Sequence, residues 1–170
     1  MNQVAYLAVG LVGLALVAIT NSEPEMLVEL KYRYFKTLDI LRETGDPMWK
    51  PVLKPAIITG LNGKKDGVIG SNVNKGYEIY ICLDGDDVNS AFYVLIHELA
   101  HMTVPEYDHS IKFWDNFEKL KKICIDNGLY TKSGERKYCG DAIRDYGESR
   151  SDSGLRCRPK AVVKSLSDSV

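Results

Sequence analysis

The strongest constraint on how this chain can fold is the placement of its histidines. The chain contains three histidines, His97, His101 and His109, and all of them fall within 13 residues. The first two belong to an H-E-x-x-H motif whose acidic residue is Glu98. Residues four apart lie one turn apart on the same face of a helix, so their imidazoles can share one metal ion. The motif therefore predicts a helix that carries two ligands of a zinc ion (Zn2+).

A third protein ligand is expected because catalytic zinc usually has three. His109 is the predicted third ligand, since it follows the turn that Pro105 imposes by ending the helix. Seven residues separate it from His101, more than the five of the metzincin pattern, and none of them is glycine, so the chain is not a metzincin. Carboxylates also bind zinc, which leaves Asp108 and Glu106 as alternatives. Asp108 can instead hold a ligand imidazole in place.

The glutamate of the motif is the predicted catalytic residue. Zinc activates a water molecule and polarises a carbonyl group, and Glu98 is placed to accept the water's proton and pass it to the leaving amine. Tyr107, Tyr130 and Tyr138 are candidate donors to the oxyanion, although a structural role is expected for each. The predicted function is a zinc-dependent metallopeptidase, a hydrolase acting on a protein or peptide substrate through Glu98 as general base and acid.

An apolar run without any charged residue occupies residues 4–20. Its seventeen residues are at the short end of a membrane span. No Lys or Arg precedes it, unlike the basic start of a secretory signal. We expect residues 1–22 to form an uncleaved N-terminal apolar helix that anchors the protein to a membrane. One alternative is a cleaved signal, which would make the protein secreted. The other is a buried core helix. The counts of Lys and Arg on either side of the run weakly favour a globular part in the cytosol, but they do not fix the side of the membrane.

The remainder of the chain has the periodicity of a mixed α+β domain. Helical and alternating patterns predict three helices, at residues 25–44, about 90–101 and 110–127, and three strands, at 56–58, 67–69 and 77–83. If the strand at 77–83 lies at a sheet edge, a substrate peptide can pair with it. The domain is expected to span residues 23–143, followed by a polar flexible tail at residues 144–170 that is rich in Ser, Arg, Lys and Asp.

Composition limits the other classes of function. A hydrophobic content of 45% is enough for a real core, and a net charge of −1 does not favour general binding to polyanions. The four cysteines, Cys82, Cys124, Cys139 and Cys157, lie far apart and form no C-x-x-C pair. This spacing argues against a zinc ribbon and against a dense disulfide framework. We expect them mostly as reduced core or surface thiols.

Several stretches around the motif resemble one family. They are Asn74-Lys75-Gly76, the strand at 79–83, the motif helix at 95–101, His109 with the later Phe113-Trp114, and Tyr138-Cys139-Gly140. Together they resemble the WLM group of zincin-like metalloproteases, in particular the variants of large DNA viruses and some protists. SprT-like proteases share the general pattern.

The resemblance implies a minimal zincin-like fold, in which a small mixed β-sheet packs on the HExxH helix. It also implies zinc binding by His97, His101 and His109 and catalysis by Glu98. Characterised WLM proteases act on proteins crosslinked to DNA, so a nucleic-acid partner enters by family analogy alone. Two other functions stay open from the sequence: a non-catalytic zinc-binding protein-interaction module anchored to a membrane, and a structural membrane protein.

Overall fold

The computed structural model of the protein describes residues 23–85 and 87–145. Within these ranges the chain forms three α-helices, five strands and two short 3-10 helices. The helices are α1 (Glu25–Thr44), α2 (Val88–Ala100) and α3 (Ile111–Asp126), the strands are β1 (Ile57–Leu61), β2 (Gly70–Val73), β3 (Glu78–Cys82), β4 (Gly134–Tyr138) and β5 (Asp141–Asp145), and the 3-10 helices are Pro47–Trp49 and His101–Thr103.

The predicted N-terminal anchor, residues 1–22, lies outside the described residues. None of the helices that the structure describes has the length and apolar content needed to cross a membrane. At the other end, β5 reaches Asp145, two residues beyond the predicted end of the domain. The rest of the predicted tail, residues 146–170, also lies outside the described part of the chain.

Helix α1 has the bounds that its apolar spacing predicts. Its buried face repeats every three or four residues, through Leu27, Leu30, Tyr34, Leu38 and Leu41. Gly45 ends the helix in the left-handed conformation, with φ at 65°, and its N–H donates to the carbonyl of Arg42. Glycine adopts this conformation without the steric cost that a Cβ would bring.

The three-stranded sheet is mixed, with β3 at its centre. Strand β1 pairs with β3 in parallel, and β2 pairs with the other side of β3 in the antiparallel direction. The condition for peptide pairing at residues 77–83, that the strand lies at a sheet edge, is therefore not met. Its β-branched residues Ile79 and Ile81 are fully buried, and a strand of this composition is favoured where it has neighbours on both sides.

Strand β2 begins at Gly70, three residues later than the start of the strand predicted at 67–69. Gly67 has φ at 80°, and a bridge between Lys65 and Val68 closes a tight turn at this point. A turn residue with positive φ does not continue an extended strand, so the register with β3 starts after this turn, at Gly70 opposite Ile81, next to a hydrogen bond from the Cys82 N–H to the Ile69 carbonyl at 2.9 Å. Strand β2 lies at an edge of the sheet, next to α2.

Helix α2 occupies the middle of the fold. The Asp87 carboxylate caps its N-terminus by accepting from the Asn89 N–H at 2.9 Å. Every residue from 90 to 100 is buried, because α2 packs against α1, α3, β2 and β3. The helix gives way to the 3-10 turn before it reaches Pro105. A small mixed sheet packed on the motif helix confirms the predicted α+β fold.

A hairpin formed by β4 and β5 follows α3 and was not predicted. Its turn residues Cys139 and Gly140 both have positive φ, at 48° and 79°, as in the two-residue turns that suit the twist of a hairpin. The strands Gly134–Tyr138 and Asp141–Asp145 are rich in charge, so they lack the apolar alternation that would signal a strand. The hairpin is nevertheless fixed to the core, since the buried Asp145 accepts from Lys121 at 2.9 Å.

The hairpin also carries one half of a disulfide bond, between Cys82 and Cys139. The expectation of reduced thiols is therefore wrong for these two residues. Their separation of 57 residues gives no local spacing signal, and only the unpredicted hairpin brings Cys139 against the end of β3. For Cys124, a buried free thiol, the expectation is confirmed. Cys157 lies outside the described residues.

We expect the disulfide to contribute substantially to stability. Replacing both cysteines with alanine should lower the free energy of unfolding by about 2–4 kcal/mol, because the bond closes a long loop and restricts the unfolded chain. Denaturant titration of the wild type and of Cys82→Ala/Cys139→Ala measures this difference.

Alkylation of the unfolded protein provides the matching control. Peptides containing Cys82 or Cys139 should be modified only after reduction. The native Cys124 thiol should resist alkylation at pH 8, because burial raises its pKa to about 12. Equal modification of Cys82 and Cys139 with and without reductant would contradict the bond.

Candidate metal centre

Three imidazole rings converge at the C-terminal end of α2. The His97 Nε2 atom lies 3.3 Å from the His101 Nε2 and 3.0 Å from the His109 Nε2. The candidate ligand atoms of the three residues all lie within 4.8 Å of one another. Tetrahedral zinc with Zn–N bonds near 2.0–2.1 Å keeps its ligand nitrogens about 3.3 Å apart. The donor set and the two distances from the His97 Nε2 therefore suit a single metal ion.

The two alternative ligands lie elsewhere. Glu106 and Asp108 are exposed residues of the segment that joins the 3-10 turn to α3, and neither belongs to the group of potential metal ligands. His109, at the end of the same segment, is half-buried and turns toward His97. Among the described residues, the structure thus brings together the three histidines that the sequence selects. Their role as ligands stays a prediction.

The surroundings keep the two motif imidazoles neutral. Burial lowers the pKa of His97 well below its usual value, and the neighbouring His101 and His109 lower it further. Burial also lowers the pKa of His101 to about 3, with smaller contributions from His109 and Lys75. A neutral imidazole offers a lone pair to a metal, whereas an imidazolium does not. These rings are therefore in their metal-binding form at neutral pH.

Helix α3 supports the histidines with an aromatic side chain. The Phe113 ring centroid lies 4.9 Å from that of His97, 4.3 Å from that of His101 and 4.7 Å from that of His109. Trp114 packs beside His109, with the ring centroids 5.2 Å apart. The family resemblance included Phe113, but the sequence did not predict its contact with all three imidazoles. The three rings have little room to turn away from one another.

The side chain of Glu98 lies between α2 and the edge strand β2. The residue is 1% exposed. A Cβ built on Gly70 would lie 2.8 Å from the Glu98 Oε1 and 2.4 Å from the Val94 Cγ1, so the strand can approach this closely only with glycine. The Asn72 side chain of the same strand donates from Nδ2 to the Glu98 carbonyl at 2.8 Å. Strand β2 therefore runs directly beside the motif glutamate.

Two of the three candidate oxyanion donors are engaged elsewhere. The Tyr130 hydroxyl donates to Asp145 at 2.5 Å, and the Tyr138 hydroxyl donates to the carbonyl of Cys82. Both tyrosines are buried in the core, as expected for a structural role. Tyr107 differs from them because it is 54% exposed, on the segment between the second and third histidines.

Sequence reasoning missed the contribution of β2 and of the turn after it. Gly70, Asn72 and Lys75 all contact α2 or the segment that follows it. Lys75 was part of the motif block that carried the family resemblance, but no role could be read from it. Such contacts depend on strand pairing and register, which a single sequence does not reveal at this range.

Comparison with known proteins supports the family resemblance. The WLM domain matches this chain over residues 53–162, about two thirds of its length. The chain belongs to the WLM domain family. The match includes the motif helix, the third histidine and the hairpin of β4 and β5.

Relatives and one solved structure add to the comparison. The chain is 40% identical over 81 residues to uncharacterised protein R325 of Acanthamoeba polyphaga mimivirus, which covers 42% of this chain and 41% of that protein. It is 33% identical over 85 residues to uncharacterised protein 136R of Invertebrate iridescent virus 6, and the match covers 44% of this chain and 47% of that protein. The chain thus spans less than half the length of either viral relative.

The metallopeptidase zymogen abylysin of Pyrococcus abyssi is a solved structure that is 18% identical to this chain, with a TM-score of 0.39. The match covers 60% of this chain and 98% of that one. That score is too low to establish a shared fold.

We expect Gly70→Ala to disturb the site by steric conflict. The added methyl group must displace Val94 or Glu98, and overpacking of this kind lowers the free energy of unfolding by about 1–3 kcal/mol. Denaturant titration measures the change. Ser71→Ala, at the next residue of the same strand, is the control and should have less effect. Equal stability of Gly70→Ala and the wild type would show that β2 does not press on Glu98.

Proposed function

We propose that this WLM domain is a zinc-dependent metallopeptidase. The observation that carries the proposal is the convergence of three imidazoles, two of them held neutral by burial, at the end of the helix that also carries a buried glutamate. His97, His101 and His109 would hold the ion. Three protein nitrogens leave a position for water, the arrangement typical of catalytic rather than structural zinc.

The chemistry divides between the ion and the protein. When bound, zinc supplies Lewis-acid activation of water and of the scissile carbonyl. Glu98 accepts the proton of the attacking water on its carboxylate and then donates it to the nitrogen of the leaving amine. Its contact with β2 restricts the side chain, so the carboxylate does not need to reorganise as the proton moves. Phe113 holds the three imidazoles in register during these steps.

A peptide substrate fits the outer edge of β2. One side of this strand pairs with β3, and no other strand of the described residues pairs with its second side. An extended peptide can add to such an edge through main-chain hydrogen bonds. Because β2 runs beside Glu98, a peptide bound there would bring a carbonyl near the metal centre. This assigns to β2 the role that sequence reasoning considered for residues 77–83.

Location and partners are proposals with separate support. The charge-free run at residues 4–20 supports a membrane anchor. The disulfide between Cys82 and Cys139 supports an oxidising compartment for the domain, because such bonds are rare in the cytosol. This outweighs the weak preference that the Lys and Arg counts gave for the cytosol. A DNA-linked substrate has only the family analogy in its favour.

Metal analysis tests the ligand set. Tag-free wild-type protein should bind about one zinc per chain, as the three-histidine ligand count requires. His109→Ala should bind zinc at least about tenfold more weakly, because it removes one of three protein ligands. Asp108→Ala is the matched control, since it removes the neighbouring exposed carboxylate, and its affinity should equal that of the wild type. Wild-type affinity in His109→Ala would reject the third ligand.

Glu98→Gln tests the mechanism apart from metal binding. Glutamine has nearly the same shape but cannot accept the proton, so the variant should keep its zinc and lose about 10²–10⁴-fold in cleavage rate. Hydrolysis of an unfolded protein such as casein by the zinc-loaded enzyme provides the measurement. Unchanged cleavage would contradict the role of Glu98. A wild type that binds zinc and cleaves neither casein nor a peptide library would favour the non-catalytic module.

A further inference from the structure

Lys75 contacts the chain between the second and third histidines at three points. Its Nζ donates to the carbonyls of His101 at 3.2 Å, Val104 at 3.0 Å and Glu106 at 2.6 Å. An ammonium group has three donors, and here three main-chain carbonyls of one segment accept from it. The segment is thereby wrapped around a single positive charge. This charge also lies at the C-terminal end of α2, where the helix dipole favours a cation.

The turn between β2 and β3 presents Lys75 in an unusual backbone conformation. Asn74, Lys75 and Gly76 have φ values of 50°, 51° and 96°, so two consecutive residues other than glycine are left-handed. Such residues are strained, and they persist only where the surrounding structure compensates for the strain. Asn72 supplies part of this support, because its Oδ1 accepts from the Gly76 N–H at 2.6 Å while its Nδ2 donates to Glu98.

Packing fixes the turn against the same region. A Cβ built on Gly76 would lie 2.1 Å from the Met102 Cε, so the turn fits closely against the residue that follows the motif. On the opposite flank, the Asn116 Nδ2 donates to the Thr103 Oγ1 at 2.8 Å. Residues 102 and 103 are thus held by the turn and by α3, and Lys75 extends this support along the chain to Glu106.

The part of the segment that leads to His109 has little other support from burial. Glu106, Tyr107 and Asp108 are exposed, and the Tyr107 ring lies over Lys75, with Nζ 4.2 Å from the ring centroid. His109 follows at once, with its Nε2 3.0 Å from that of His97. The direction in which the chain approaches His109 is therefore set where Lys75 binds the carbonyls of Val104 and Glu106.

We propose that Lys75 is a positioning residue of the metal centre, whose ammonium group folds residues 101–106 so that His109 meets the other two imidazoles. The inference rests on the proposed function in one respect, that the three histidines bind a metal ion. Two possible roles of Lys75 predict opposite changes in zinc affinity when its ammonium group is removed. A nearby positive charge repels a metal cation, so a purely electrostatic role predicts tighter binding when Lys75 is removed. Positioning predicts weaker binding.

The first experiment measures zinc affinity and cobalt spectra of tag-free Lys75→Met and Lys75→Arg. Zinc affinity is obtained by competition with a chromogenic chelator, and the visible spectrum of bound Co²⁺ reports ligand geometry. Lys75→Met should bind zinc about 10–100-fold more weakly, the usual loss for a residue that orients ligands, with an altered cobalt spectrum. Lys75→Arg should recover part of the affinity because it keeps a cationic donor. Lys112→Met removes an exposed lysine three residues after His109, and it should match the wild type.

A double-mutant cycle tests whether Lys75 acts through His109. In the His109→Ala background, Lys75→Met should lower zinc affinity much less than it does in the wild type, because the ligand that Lys75 positions is already absent. Equal losses in both backgrounds would overturn the inference, as would unchanged or tighter zinc binding by Lys75→Met. If Lys75→Met does not fold, the same cycle with Lys75→Gln, which keeps two of the donors, decides between these outcomes.

The two proposals can fail separately. A wild type that binds no zinc rejects the proposed function and this inference with it. A wild type that binds one zinc through His109, together with a Lys75→Met variant of equal affinity and identical cobalt spectrum, rejects the inference alone.

Discussion

The structure depends on the close approach of His97 and His109, whose Nε2 atoms lie 3.0 Å apart although the residues belong to different elements. Burial and the neighbouring imidazoles lower the pKa of His97, so a proton on this ring is disfavoured. The arrangement therefore has to be built by the rest of the fold. Phe113 encloses the three rings from α3, and Lys75 sets the path of the chain to His109. A metal ion bound by the three nitrogens would offset the cost of desolvating them.

The sheet contributes through its edge rather than its centre. Strand β3 carries the clearest β pattern of the sequence, yet its part is to pair with both neighbours and bury Ile79 and Ile81. The short strand β2, with little apolar character, contacts Glu98 through Gly70 and Asn72. A strand that must lie close to a buried carboxylate and still offer an edge benefits from small and polar residues. The small and polar residues that make β2 hard to recognise in the sequence are thus the residues that suit its position beside Glu98.

Local patterns predicted what is encoded locally. Helix α1 and the motif helix follow from apolar spacing, capping residues and Gly45, and the histidines were selected by number and spacing. The hairpin and the disulfide could not be read in this way, because β4 and β5 are charged and Cys82 lies 57 residues from Cys139. The support that Lys75 gives to Glu106 was equally hidden, since it requires the left-handed turn before β3. Contacts between distant segments depend on register, and a single sequence determines register poorly.

Two polar supports lie at opposite ends of α2, and this has a physical reason. The helix is buried on all sides, and the hydrophobic effect that buries it is not directional. Polar contacts have stricter geometry and can fix the position. At the start of the helix, Asp87 caps α2 and also accepts from Arg136 of the hairpin at 2.8 Å. At the end, Lys75 binds the carbonyl of His101. A metal site that requires nitrogens within a few tenths of an ångström needs a helix fixed at both ends.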